Sequence, residues 1–99
     1  MKLFNEHIAE IKELCSKHKV KSLFVFGSVL NNSFNEESDV DLIVDIDSND
    51  PIDYADNYFD LKFELQKIFN KEIDLLEQKS LKNLILKKEI EKTKVLLYG

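Results

Sequence analysis

Apolar residues recur along this chain with two periods, and the switches between them lay out its elements. From Asn5 to about Lys17, Ile8, Ile11, Leu14 and Cys15 follow a 3.6-residue period, which predicts an amphipathic helix. The run Val20 to Phe26 reads as a strand ending at Gly27. Residues 28–38 are polar and contain Asn31-Asn32-Ser33, so a short turn or helix and a loop are expected there. From Asp39 to Ile46 the period drops to two, with Val40, Leu42 and Val44 on one face and Asp39, Asp41 and Ile43 on the other, which predicts a second strand. Asp50 before Pro51, with Asp53 in the first turn, signals the start of a helix. Its expected apolar stripe is Ala55, Tyr58, Phe59, Leu65, Ile68 and Phe69, and Asn70 ends it. Glu72 to Leu76 is a third strand, Ser80 caps a helix to about Glu91, and Lys94 to Tyr98 is a fourth strand. The order predicts an α/β (α+β) fold, a small mixed sheet with helices packed largely on one side.

Length and composition narrow this picture. At 99 residues the chain is expected to form one domain, 1–99, with a modest core. A hydrophobic share of 43% beside 33% charged residues is that of a globular protein, and no apolar run reaches the length of a membrane span. The first residues carry no secretory pattern, so a cytoplasmic protein is expected. The lone Cys15 fits a reducing compartment, and its helical spacing with Ile8, Ile11 and His18 predicts a packed, inert thiol.

Charge is unevenly distributed. The net charge is -5, yet Glu36 to Asp60 holds ten acids and no lysine, whereas Lys79, Lys82, Lys87, Lys88, Lys92 and Lys94 crowd the C-terminal end. Such an acidic stretch suits cations or a basic partner and argues against nucleic acid as a direct ligand. All 14 basic residues are lysine. Phosphates must therefore be held by lysines, backbone amides or metal rather than by a guanidinium fork.

Residues two apart on a strand share a face, so Asp39 and Asp41 are expected to project together with carboxyl groups roughly 5–7 Å apart. Paired anions of this kind are a platform for Mg²⁺, which takes one or two carboxylates together with substrate phosphates, and two-metal sites clamp both oxygens of a phosphoryl transfer. Asp74, between Ile73 and Leu75, can join them if its strand is a neighbour. A third acid there could help deprotonate an acceptor hydroxyl. Gly27-Ser28 stands where a strand ends, a place where backbone N–H groups and a hydroxyl can cradle phosphate. Each part has a plainer reading: Asp-x-Asp as a solvated strand face, Gly-Ser as an ordinary turn, Asp74 as a strand-end acid. His7 and His18 lack the spacing of zinc ligands and are expected on solvated helix positions. Asp45 and Asp47 are assigned to solvent; the C-terminal lysines could approach phosphates or a partner, a solvated helix face being the more common outcome.

Phe26-Gly27-Ser28, Ser38-Asp39-Val40-Asp41-Leu42-Ile43-Val44 and Ile73-Asp74-Leu75-Leu76, in this order and spacing, resemble the minimal nucleotidyltransferases of the DNA polymerase beta superfamily. The resemblance covers nearly the whole chain and implies the nucleotidyltransferase fold. It implies that Gly27 and Ser28 contact a nucleoside triphosphate, that Asp39 and Asp41 bind Mg²⁺, a pair of ions, and that Asp74 completes the catalytic set. It implies transfer of AMP from ATP to a hydroxyl. Stand-alone members are commonly antitoxins that modify a tyrosine of a helical HEPN ribonuclease toxin, which makes such a toxin the expected partner. One departure is the arginine that family members commonly carry after the Gly-Ser turn; here the stretch is Val29-Leu30-Asn31-Asn32-Ser33, and weaker triphosphate binding is implied. Two alternatives stand beside this reading: a non-catalytic module that neutralises a partner protein by contact, and a nucleotidyltransferase acting on a small molecule.

Overall fold

Leu23 and Val25 on one strand, and Val40, Leu42, Val44 and Ile46 on the next, turn inward at alternate positions and form the floor of the core. The computed structural model describes residues 2–27 and 39–99, so the turn or helix and loop expected over 28–38 lie outside the described residues. In chain order the elements are α1 (Lys2–Lys17), β1 (Val20–Phe26), β2 (Val40–Ile46), α2 (Pro51–Phe69), β3 (Ile73–Glu77), a 3₁₀ turn (Gln78–Ser80), α3 (Leu84–Thr93) and β4 (Val95–Tyr98). The sheet order is β3-β2-β1-β4. β1 runs antiparallel to β2 and β4, and β2 is parallel to β3.

Local chemistry sets most boundaries. Lys19 adopts a left-handed φ of 59°, which ends α1 and turns the chain into β1. Asp50 accepts from Ile52 N at 3.0 Å, Pro51 follows at the first helical position, and Asn70 closes α2 in the left-handed region, as its sequence predicts. The face of α2 differs from expectation. Tyr54, Leu61, Leu65 and Phe69 are buried, with Tyr58 and Ile68 at the margin, whereas Phe59 is 51% exposed. Phe59 sits about 100° around the helix from Tyr58, enough to turn it off the sheet. Leu61 and Leu65 are fully buried and contribute about 1.5–3 kcal/mol each.

Two further expectations are corrected. Ser80 does not cap α3; it ends the 3₁₀ turn, and Asn83 is the cap, accepting from Ile85 N at 3.0 Å and Leu86 N at 3.1 Å. His18 is only 6% exposed, because the turn at Lys19 carries it against α2. Asn57 Nδ2 donates to Asp53 O at 2.9 Å, which turns Oδ1 of Asn57 toward His18 Nδ1 at 3.4 Å. His7 is half-buried, edge-on to the Phe69 ring at 5.8 Å. Cys15 is fully buried as expected, and burial pushes its thiol up to about 12.

Two parallel crossovers, β2-α2-β3 and β3-α3-β4, run in opposite directions across the sheet. Right-handed connections then put α2 and α3 on opposite faces. α1 and α2 cover the core face together, and α3 belongs to the other, where Ile43 and Ile90 are buried apart from the main cluster. No helix among the described residues is long and apolar enough to cross a membrane.

Candidate active site

Strand register assembles the acids. Asp41 faces Phe26 on β1 and Asp74 on β3 as Cα partners, so the two carboxylates stand on neighbouring strands about 4.8 Å apart and on one face. Alternation makes this the face turned away from α1 and α2: Val40 and Leu42 point into the core, while Asp41 is half-buried and Asp74 exposed. Asp39 precedes β2 by one residue and is exposed. Two of the charges act on the third. The Asp41 carboxyl is held above its ordinary pKa, first by desolvation and then by the Asp74 and Asp39 carboxylates.

Gly27 closes the group. Its φ is +83°, and a Cβ added there would lie 2.3 Å from Asp41 Oδ2. The left-handed turn favours glycine, and any side chain there would have to displace the Asp41 carboxylate packed over it. Ser28 lies outside the described residues. The structure therefore brings Gly27, Asp39, Asp41 and Asp74 to one end of the sheet. Asp47 is exposed as expected, but Asp45 is half-buried, because β2 continues to Ile46 and holds it inside the strand opposite Ser22.

One contributor escaped the sequence reading and another was left among several lysines. Tyr58, expected only as an apolar contact, donates its hydroxyl to Leu75 O at 2.5 Å and so braces the open edge of β3 beside Asp74. Lys94, expected at the start of the fourth strand among lysines that could approach phosphates or lie in solvent, is half-buried. Its ammonium lies 4.1 Å from the centroid of the Phe24 ring and 3.0 Å from Glu91 Oε1. Phe24 pairs with Ile43, two residues from Asp41, which puts a positive charge on the carboxylate face. Both were hidden because each depends on a non-local neighbour.

Among the described residues no three His, Cys, Asp or Glu side chains converge enough to hold a metal ion by themselves. The hard oxygen donors and the uncompensated charge on Asp41 nevertheless fit Mg²⁺, which commonly takes one or two carboxylates and completes its shell with phosphate oxygens and water.

The family profile described as "Polymerase beta, Nucleotidyltransferase" matches residues 9–99. The chain belongs to this nucleotidyltransferase family. A Methanocaldococcus jannaschii protein named as a protein adenylyltransferase is 38% identical to this nucleotidyltransferase over 92 residues, 85% of this chain and 91% of that one. Protein adenylyltransferase MntA of Thermococcus cleftensis is 33% identical over 79 residues, 80% of this chain and 77% of its own. A chain of the solved complex between a tri-AMPylated Shewanella oneidensis HEPN toxin and an MNT antitoxin aligns with a TM-score of 0.65 at 19% identity, covering 96% of this nucleotidyltransferase and 71% of that chain. At that identity the likeness bears on the fold alone, which it shares.

Proposed function

We propose that this nucleotidyltransferase transfers AMP from ATP to a hydroxyl of a protein, a tyrosine of a cognate HEPN-family toxin, and thereby acts as its antitoxin in the cytoplasm. The observation that carries the reading is the register that sets Asp41 beside Asp74 with Gly27 against the Asp41 carboxylate. The names of the relatives support the choice of AMP and of a protein acceptor.

In this reading Asp39 and Asp41 would hold Mg²⁺, a pair of ions, with Asp74 as a further ligand, and the metal would supply positive charge to offset the phosphates and the ionising acceptor hydroxyl. Gly27 and Ser28 hold the β- and γ-phosphates at the end of β1, and Lys94 offers positive charge toward them where no arginine exists. The acceptor oxygen attacks the α-phosphorus. The bond from that phosphorus to the α,β-bridging oxygen breaks, pyrophosphate leaves, and the hydroxyl proton passes to Asp74. Tyr58 keeps β3, and with it Asp74, in register.

The test is intact mass spectrometry of the partner after incubation with the chain, ATP and Mg²⁺. The account expects an AMP adduct on a tyrosine that disappears with Asp39→Asn and Asp41→Asn. An unmodified partner, or full modification by both variants, would sink it.

A further inference from the structure

Beyond the carboxylate group, one cleft combines features that call for a ligand. It encloses about 370 Å³ between the start of α2 and the end of β3, and Ser48, Asp50, Tyr54, Phe59, Glu77 and Lys79 are among its lining residues. Aromatic rings form one wall: Tyr58 and Phe59 meet edge to face at 5.0 Å, and Phe59 is half exposed although nothing in the chain's own core needs it there. Carboxylates form the rim. Glu77 makes no ion pair among the described residues; after desolvation, its carboxylate holds the Tyr54 hydroxyl above its ordinary pKa by standing within hydrogen-bonding reach and by its charge, with Asp45 adding to the effect. Tyr54 itself is 8% exposed, and its buried hydroxyl stands near Glu77 without completing a well-formed hydrogen bond to it.

The cleft already displays what it prefers. The exposed Lys79 makes no ion pair among the described residues; its ammonium lies 3.7 Å from the centroid of the Tyr54 ring. Aromatic faces beside carboxylates attract cations, and a planar guanidinium can stack on such rings while donating to a carboxylate and to a phenolic oxygen together. An ammonium on a flexible stem, tethered by a 3₁₀ turn, is a displaceable occupant.

We propose that this cleft receives an arginine side chain of the acceptor protein, stacked on Tyr54 and Phe59 and bonded to Glu77 and the Tyr54 hydroxyl, with Lys79 moving aside. Glu77 follows Asp74 by three residues on β3, about 10 Å along the strand and on its opposite face; because β3 is the edge of the sheet, a segment anchored by an arginine here must pass round that edge for its hydroxyl to reach the carboxylate group. The inference rests on the reading that the acceptor is a protein. It deepens that reading by giving the chain's acidic stretch a basic partner.

The test needs neither ATP nor the partner. N-acetyl-arginine amide is titrated into the ¹⁵N-labelled chain and followed by amide chemical shifts, with N-acetyl-citrulline amide as the neutral probe of the same shape. The expected result is arginine-dependent shifts at Tyr54, Ala55, Phe59 and Glu77, with none from citrulline. Glu77→Gln and Tyr54→Phe should each weaken binding about tenfold, and Lys79→Ala should tighten it. Lys79 is exposed, so that variant keeps its fold if Tyr54→Phe does not. Equal shifts from citrulline, shifts confined to Asp39, Asp41 and Asp74, or weaker binding by Lys79→Ala would overturn the proposal and leave AMP transfer untouched. Loss of AMP transfer with arginine binding intact would fault the catalytic reading instead.

Discussion

Replacing Gly27 with alanine probes the contact on which the carboxylate group is built. The new Cβ would stand 2.3 Å from Asp41 Oδ2, while ordinary contact begins at 3.4 Å, so the carboxylate or the turn must move by about 1 Å. A displacement of that size in a catalytic group costs about 100-fold in rate. The φ of +83° adds a backbone cost of about 1–2 kcal/mol, a loss in Tm on the order of 10 °C for a chain of this size. Two measurements check this: kcat for AMP transfer, and thermal unfolding of Gly27→Ala in the wild-type and Asp41→Ala backgrounds. Removing the Asp41 carboxylate relieves the clash and leaves the backbone cost, so the substitution must destabilise less in the second background. Wild-type activity in Gly27→Ala, or equal destabilisation in both backgrounds, would refute the close approach.

Asp41→Asn is expected to stabilise the chain at neutral pH without divalent cations, because partial burial and then the Asp74 and Asp39 carboxylates disfavour its ionised form. The sign follows from the raised carboxyl: stability from protonated Asp41 is full below 3.8 and is lost as pH rises through the higher folded value, so Asn should flatten that part of the Tm-against-pH curve. Asn83→Ala should cost about 1 kcal/mol in denaturant unfolding by uncapping α3, whereas Ser80→Ala should stay within about 0.5 kcal/mol. Lys94→Ala should raise KM for ATP about tenfold with little change in kcat, and Lys94→Arg should restore it; an unchanged KM would remove Lys94 from phosphate binding.

What could be read in the sequence was local. Asp50-Pro51 and Asn70 bound α2 because caps act within a turn, and the two-residue alternation of Val40 to Ile46 marks β2 by itself. Ser80 and Asn83, two cap-competent residues three apart, could not be ranked until the 3₁₀ turn separated them. The face of α2 turned on where the sheet lies, which exchanged Phe59 for Tyr54 and Leu61. Helical spacing put His18 on the stripe of the buried Cys15, yet its polar ring was assigned to solvent, and the left-handed Lys19 that helps bury it could not be foreseen. The candidate site divides the same way. Asp39 and Asp41 share a face by periodicity alone, but the pairing of Asp41 with Asp74 is a register between strands thirty-odd residues apart, and only the family resemblance supplied it. The pressure of Asp41 on Gly27, the Tyr58 brace and the position of Lys94 are contacts across the sheet that no spacing rule contains.

The most direct test of the central claim follows the phosphates. With the acceptor protein, Mg²⁺ and ATP labelled at either the α- or the γ-phosphate, the account predicts that α-label enters the acceptor, that γ-label leaves in pyrophosphate, and that both outcomes vanish with Asp41→Asn. Label from the γ-phosphate on the acceptor, or α-label transferred as readily by Asp41→Asn as by the wild type, would contradict it.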